Sequence, residues 1–214
     1  MMDRDGYYAT RLSYEPSRDK IWREVVRYLR RYVPRDAAVL ELGAGYCGFI
    51  NEIDCAEKHA LDIRPVIEQY AADSVVTHVL SCVELETLPH KRMDVIFTSF
   101  LFEHLDFEEL DRTAAGMKAV LKPGGRLIVL QPNFRYAFRE YFDDYTHKRI
   151  FTHVSLADYL TAHGFIVKVV IPRFLPYSFK SRLPKSALLA RIYLRLPYRP
   201  MGKNMLIVAD YPGE

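Results

Sequence analysis

Three groups of residues carry types and spacings that could do chemistry. The first is a glycine turn, Gly43-Ala44-Gly45, with Gly48 close behind, entered directly from Glu41-Leu42. Glycines let a turn bend sharply and bring main chain against a ligand. The second is Asp62, twenty-one positions after Glu41, in the strand-like run Ala60-Leu61-Asp62-Ile63. A glycine turn with an acid downstream suits a nucleoside-containing cofactor. The turn takes the middle of the ligand and the acid takes ribose hydroxyls. The third is a pair of histidines, His104 and His147. The ordinary imidazole pKa, about 6.5, suits proton transfer at neutral pH.

These groups need a frame to hold them. Ile21, Trp22, Val25, Val26, Leu29, Tyr32 and Val33 recur at three-four spacing, which predicts an amphipathic helix over 18–32, stopped by Pro34. Strands are predicted at 39–42, 60–63, 75–80, 93–100 and 126–130, with helices at 49–58, 65–73 and 107–121 between them. Residues 93–100 are nearly continuously apolar, as in a strand buried on both faces of a parallel sheet. Beyond the fifth strand come an aromatic-rich segment at 134–145, a short helix capped by Thr152 or Ser155, and strands at 165–171 and 205–209. Strand–helix alternation predicts a doubly wound α/β sheet. Its ligand should lie at the carboxyl ends of the strands, which carry Glu41, Asp62, the 81–83 region, Ser99 and Phe100.

The 214 residues suit one domain, 1–214, with an N-terminal helical arm at 1–34 and an insert at 172–203 between the last two strands. The net charge is only +3. From Phe151 onward nine Lys or Arg face three acids, so that part is +6 and the remainder −3. A basic C-terminal third is either a solvated face or a surface for an anionic substrate or membrane. Cys47, Cys55 and Cys82 are odd in number and lack metal-ligand spacing, which reads as reduced and intracellular. Residues 1–20 are polar and no apolar run reaches membrane-spanning length, so the expected location is cytoplasmic.

Gly43-x-Gly45-x-x-Gly48 is also the spacing of dinucleotide-binding proteins, which keeps a nicotinamide-dependent oxidoreductase open. Glu41 argues against it. A carboxylate there faces a pyrophosphate unfavourably and tolerates a ligand with an ammonium and a sulfonium far better. The chain resembles the class I S-adenosylmethionine-dependent methyltransferases. The resemblance rests on Val39-Leu40-Glu41-Leu42-Gly43-Ala44-Gly45, Ala60-Leu61-Asp62-Ile63, Leu88-Pro89 before Met93-Asp94-Val95-Ile96, Phe102-Glu103-His104-Leu105, and Leu121-Lys122-Pro123-Gly124-Gly125-Arg126-Leu127, in that order. It implies a Rossmann-like, seven-stranded sheet with an antiparallel last strand, and S-adenosyl-L-methionine as cofactor. It implies that the Gly43-Ala44-Gly45 turn approaches the methionine part, that Glu41 orients that end, and that Asp62 takes the ribose hydroxyls. Ile63 would pack on the adenine, Cys82 and Val83 would lie by its edge, and Ser99 and Phe100 would line the floor. The sequence departs from the pattern in two places. Cys47 stands where a third glycine is common, and the acid often found after the third strand is missing at Ser81-Cys82.

Methyl displacement from a sulfonium is largely a matter of alignment. A hydroxyl acceptor gains from a general base, a neutral amine hardly at all. His104, just past the fourth strand, is the expected base or a packing residue. His147, after Asp143 and Asp144, is the second candidate or part of a structural polar cluster. Residues 183–196 form a basic amphipathic helix, with Arg191, Arg195 and Arg199 at i+4 spacing. Two roles fit it: a cap over the substrate pocket, favoured here, and peripheral membrane contact through 183–199. The expected function is methyl transfer to an oxygen, or a nitrogen, of a small-molecule or glycan/cell-envelope-type acceptor. A non-catalytic relative of the same fold is the remaining alternative. Without an RNA-binding module or strong basic excess, no nucleic acid partner is expected.

Overall fold

The computed structural model describes residues 14–89, 92–176 and 186–213. Helix α1 (Ser17–Leu29) buries Trp22, Val25, Val26 and Leu29 and tightens into a 3-10 turn over Arg30–Tyr32 just ahead of Pro34. The strands are β1 (Ala38–Leu42), β2 (Glu57–Asp62), β3 (Val75–Val79), β4 (Met93–Ser99), β5 (Leu121–Pro132), β6 (Ile166–Pro176) and β7 (Gly202–Asp210). They form one seven-stranded sheet in the order β3-β2-β1-β4-β5-β7-β6. The first five strands in that order run parallel, and β7 lies antiparallel to both β5 and β6. This is the seven-stranded sheet with an antiparallel last strand that the resemblance implied.

Period-2 alternation divides the sheet into two apolar layers. Ala38, Leu40 and Leu42 face one layer with α3 (Phe107–Val120) and α5 (His153–Ala162). Val39 faces the other, with α1 and the residues behind the glycine turn. Glu41 shares Val39's parity, and Asp62 shares that of Ala60, so both carboxylates lie on the α1 side. Phe97 on β4 stacks on Phe49 with ring centroids 3.9 Å apart and meets Trp22 edge-on at 6.2 Å. Helix α3 opens with a full capping box between Asp106 and Glu109, and α5 with one between Thr152 and Ser155.

Several expectations are corrected. The helix predicted at 49–58 is a run of turns, and Glu57 and Lys58 already belong to β2. Only isolated helical bonds survive there, from Asn51 N–H to Cys47 and from Ile53 N–H to Phe49. The Asn51 side chain instead donates to Tyr70 C=O and accepts from Ala72 N–H. Such local bonds compete with a helix, and pairing with β1 and β3 claims the rest of the segment. The helix predicted at 65–73 shrinks to α2 (Ile67–Tyr70). Strand β5 begins as soon as α3 ends, and Pro123-Gly124-Gly125 sits within it at a register shift against Met93 and Val95. The turn Phe134–Ala137 forms α4 in the aromatic segment.

The basic insert is smaller than predicted, because β6 continues to Pro176 and β7 starts at Gly202. Its described helix is α6 (Ala187–Arg195). Arg191 makes a bidentate pair with buried Glu24 of α1, both bonds 2.9 Å, and Leu194 is buried. Arg199 donates to Leu194 C=O. Two of the three arginines thus anchor the helix to the protein. Among the described residues, none of α6 lines the cavity described below. No helix among the described residues is long and apolar enough to cross a membrane.

The backbone also accounts for Gly48 and shows why a glycine is common at position 47. Cys47 has φ +58°, a left-handed conformation, and its small side chain is fully buried. Gly48 needs no special φ, but a Cβ there would lie 2.7 Å from the Trp22 ring. A Gly48→Ala variant must push Trp22 aside, an overpacking cost of about 1–3 kcal/mol. Urea unfolding should show a lower midpoint at unchanged slope; an unaltered midpoint would refute this packing account.

Candidate active site

The glycine turn is tied to the strand ends by the two acids. Gly43 and Gly45 adopt φ +66° and +54°, conformations costly for residues with a Cβ. Gly45 N–H donates to Asp62 Oδ2 at 2.9 Å, and Ala44 N–H donates to Leu61 C=O at 3.0 Å. The other Asp62 oxygen accepts from Arg64 N–H at 3.0 Å. Glu41 Oε2 accepts from Ile50 N–H at 2.9 Å, and Glu41 is only 2% exposed. Burial pushes the Glu41 carboxyl up to about 8, and the charge of Asp62 adds to the effect.

Above these acids opens a cavity of 470 Å³. At one end lie Glu41, the Gly43-Ala44-Gly45 turn, Asp62 and Ile63, with Cys82 and Val83 along the side. The Cys82 thiol is buried, accepts from the Thr113 hydroxyl at 3.5 Å, and is pushed up by burial, so it is inert as a nucleophile. Ser99 and Phe100 contribute at the end of β4. Phe100 holds φ +53°, and its N–H donates to Leu130 C=O at 2.9 Å. The polar sites carried forward from the sequence therefore converge on one space, apart from His147.

His104 lines the same cavity from the short turn Phe102–His104. Its ring nitrogen Nδ1 is 2.9 Å from the Thr146 hydroxyl, which donates its one proton to Asp144 Oδ1 at 2.6 Å. The hydroxyl must then accept from Nδ1–H, which leaves the lone pair of His104 on Nε2. Burial, aided by neighbouring His147, holds His104 down at about 4, so it is neutral at physiological pH. His147 does not line the cavity. It sits behind His104, ring centroids 5.0 Å apart, and its Nδ1–H donates to Tyr141 C=O at 2.6 Å. The two histidines meet because Lys148 and Arg149 N–H groups both bond to Glu103 C=O, at 2.8 and 3.1 Å.

Sequence reasoning missed part of the wall. Tyr14, Arg18, Asp19 and Trp22 contribute from the N-terminal segment, and Tyr46, Thr146 and Lys148 from loops. Tyr14, Tyr46 and Tyr70 cluster, with centroids 4.7–5.4 Å apart. Tyr46 had a signal, since it lies inside the glycine turn. Residues 1–13 of the N-terminal arm lie outside the described residues.

The raised Glu41 carboxyl has a thermodynamic consequence. An unfolded glutamate releases its proton at about 4.3, whereas folded Glu41 keeps it to about 8. The folded state therefore binds more protons across this window, and stability falls as pH rises. Depressed His104 works in the opposite sense below its ordinary value. The range from pH 6.5 to 8 is thus the clean one. Ligand-free protein should melt progressively lower across it, and Glu41→Gln should remove about half of the slope, Glu103 supplying a comparable share. Equal slopes for wild type and variant in differential scanning calorimetry would show that Glu41 is ionised throughout.

A family model described as a methyltransferase domain matches residues 14–167. Among solved structures, a SAM dependent methyltransferase from Archaeoglobus fulgidus is 24% identical, with TM-score 0.63, covering 88% of this chain and 94% of that one. The N-methyltransferase NodS from Bradyrhizobium japonicum, in complex with S-adenosyl-l-homocysteine, is 14% identical with TM-score 0.65, over 95% of this chain and 91% of that one. A chain from the Haloferax volcanii complex containing the Trm112 methyltransferase activator is 17% identical with TM-score 0.71, over 99% and 98%. At these identities the likeness is one of fold. No curated protein sequence matches the chain. The family match spans well over half of the residues and includes both strand-end acids, the glycine turn and the two histidines: the chain belongs to the methyltransferase domain family.

Proposed function

We propose that this protein is an S-adenosylmethionine-dependent methyltransferase acting on an oxygen, or a nitrogen, of a small-molecule or glycan-type acceptor. The observation that carries the reading is the convergence of Glu41, Asp62 and the Gly43-Ala44-Gly45 turn at one end of a cavity whose other wall holds His104. Bound S-adenosylmethionine supplies an activated methyl group on a sulfonium.

The residues fit such a ligand. Each Asp62 oxygen accepts one backbone N–H and retains a lone pair for a ribose hydroxyl. Glu41, close to a second carboxylate and out of water, is a site that a cationic ligand group relieves and a pyrophosphate aggravates. Exposed Ile63 offers an apolar surface for a base, beside Cys82 and Val83. Alignment of the acceptor against the cavity wall is the main catalytic contribution of this chain. His104 presents a neutral imidazole there, but burial makes it a weak proton acceptor. It orients an acceptor N–H or O–H better than it deprotonates one.

Titration calorimetry with S-adenosylhomocysteine should show one site per chain, with no heat from NAD. Asp62→Ala should weaken it by roughly 10- to 150-fold, the loss of hydrogen bonds to a charged group worth about 1.5–3 kcal/mol. Binding of NAD alone would replace this reading with the oxidoreductase. Methyl transfer from a labelled donor to a panel of hydroxylated and amino-bearing small molecules and glycans then separates the acceptor classes.

A further inference from the structure

The mechanism leaves one buried group unused. Glu103, beside His104 in the turn after β4, is 1% exposed, and neither carboxylate oxygen has a hydrogen-bond partner among the described residues. An orphaned buried carboxylate is costly. It is also adjacent to two imidazoles. Glu103, His104 and His147 each place one ligand atom within 4.8 Å of the other two.

The surroundings of the histidines match those of metal ligands. In both rings Nδ1–H is spent on a fixed acceptor. His147 donates to the Tyr141 carbonyl, and His104 donates to the Thr146 hydroxyl, itself bonded to Asp144. That leaves Nε2 as the basic nitrogen in each. Outer partners of this kind fix the tautomer and ring orientation of a ligating histidine. The Asp144–Thr146–His104 chain adds a carboxylate behind one of them. The backbone bonds from Lys148 and Arg149 to Glu103 C=O hold the 144–149 loop and the 102–104 turn in this juxtaposition.

We propose that Glu103, His104 and His147 form a binding site for one divalent transition-metal ion, of the Zn²⁺, Mn²⁺ or Fe²⁺ class, at the acceptor end of the cavity. Two imidazoles and one carboxylate select this class over Mg²⁺ or Ca²⁺, which prefer all-oxygen sites. Zinc bonds of about 2.0–2.2 Å place tetrahedral ligands roughly 3.4 Å apart, so side chains now within 4.8 Å of one another must close in around the ion. An ion compensates the buried carboxylate and uses both imidazole lone pairs. Three protein ligands leave positions open, and His104 is the one ligand that lines the cavity, so an acceptor hydroxyl would approach the ion from that side, with His104 Nε2 then on the ion and not on the acceptor. The ion would acidify that hydroxyl: its proton passes to water and the bonding pair stays on the oxygen. This supplies the activation that neutral His104 lacks. The site stands on its own geometry; its use in acceptor activation rests on the methyl-transfer reading.

Chelator-stripped, full-length protein titrated with Co²⁺ should develop visible ligand-field absorption saturating at one ion per chain, and Zn²⁺ should displace it. The metal should raise the melting temperature. Glu103→Gln and His147→Ala should each weaken Co²⁺ at least roughly tenfold and lose the thermal shift, while His163→Ala, at a surface histidine, keeps both. Should Glu103→Gln not fold, His147→Gln decides by the same titration. No ligand-field band, or equal affinity in wild type and ligand variants, overturns the site. S-adenosylhomocysteine calorimetry on the same samples keeps the two proposals apart. Cofactor binding without Co²⁺ binding overturns the ion site alone. Co²⁺ binding without cofactor binding supports the site and removes its use in methyl transfer.

Discussion

The structure turns on two carboxylates held at adjacent strand ends under a left-handed turn. Glu41 receives the Ile50 amide and Asp62 receives the Gly45 amide. Each bond satisfies a backbone donor that would otherwise be stranded as the chain reverses direction above the sheet. The same bonds fix the turn against β1 and β2, and so set where its main chain can meet a ligand. The cost is concentrated in Glu41, which burial and Asp62 drive toward the neutral form. A fold that keeps an acid in so unfavourable a place is using it for something other than stability.

The parts of the architecture that could be read from residues are those where one local signal dominates. Met93–Ser99 is apolar on both faces and became a central strand. The segment read as a helix at 107–121 became Phe107–Val120. Phe49, Ile50 and Ile53 failed as a helix signal because their burial was real but their period was not. Phe49 is fixed by stacking on Phe97, Asn51 bonds across to Tyr70 and Ala72, and the strand claims Glu57 onward. The antiparallel β7 has no local marker and was legible only through resemblance.

The candidate site shows the same division. The end proposed for the cofactor lies on strand termini, where position in the sequence predicts position in space; the end proposed for the acceptor does not. Glu103 and His104 stand in one short turn and His147 in a distant loop, and two backbone bonds to the Glu103 carbonyl bring them together. No spacing rule reaches across that distance. The exposure of each group was equally hidden. His104 looked like a base with an ordinary pKa, yet desolvation lowers it to about 4.

These two ends differ in what can change them. At the end proposed for the cofactor, altering a residue disturbs the core: Gly48 abuts Trp22, Trp22 meets Phe97, and Phe97 packs in the α1-side layer. The 134–151 segment is held by short turns and side-chain bonds; Phe138, Phe142 and Tyr145 remain exposed while Ala137, Tyr141 and Phe151 are buried, and Thr146 and Lys148 line the cavity. Substitutions at the exposed positions leave the core packed. On the proposed reading, donor binding is built into the fold and acceptor choice is left to a surface segment. Glu103, 1% exposed, ties that segment to the core through its carbonyl, which accepts from Lys148 and Arg149 N–H.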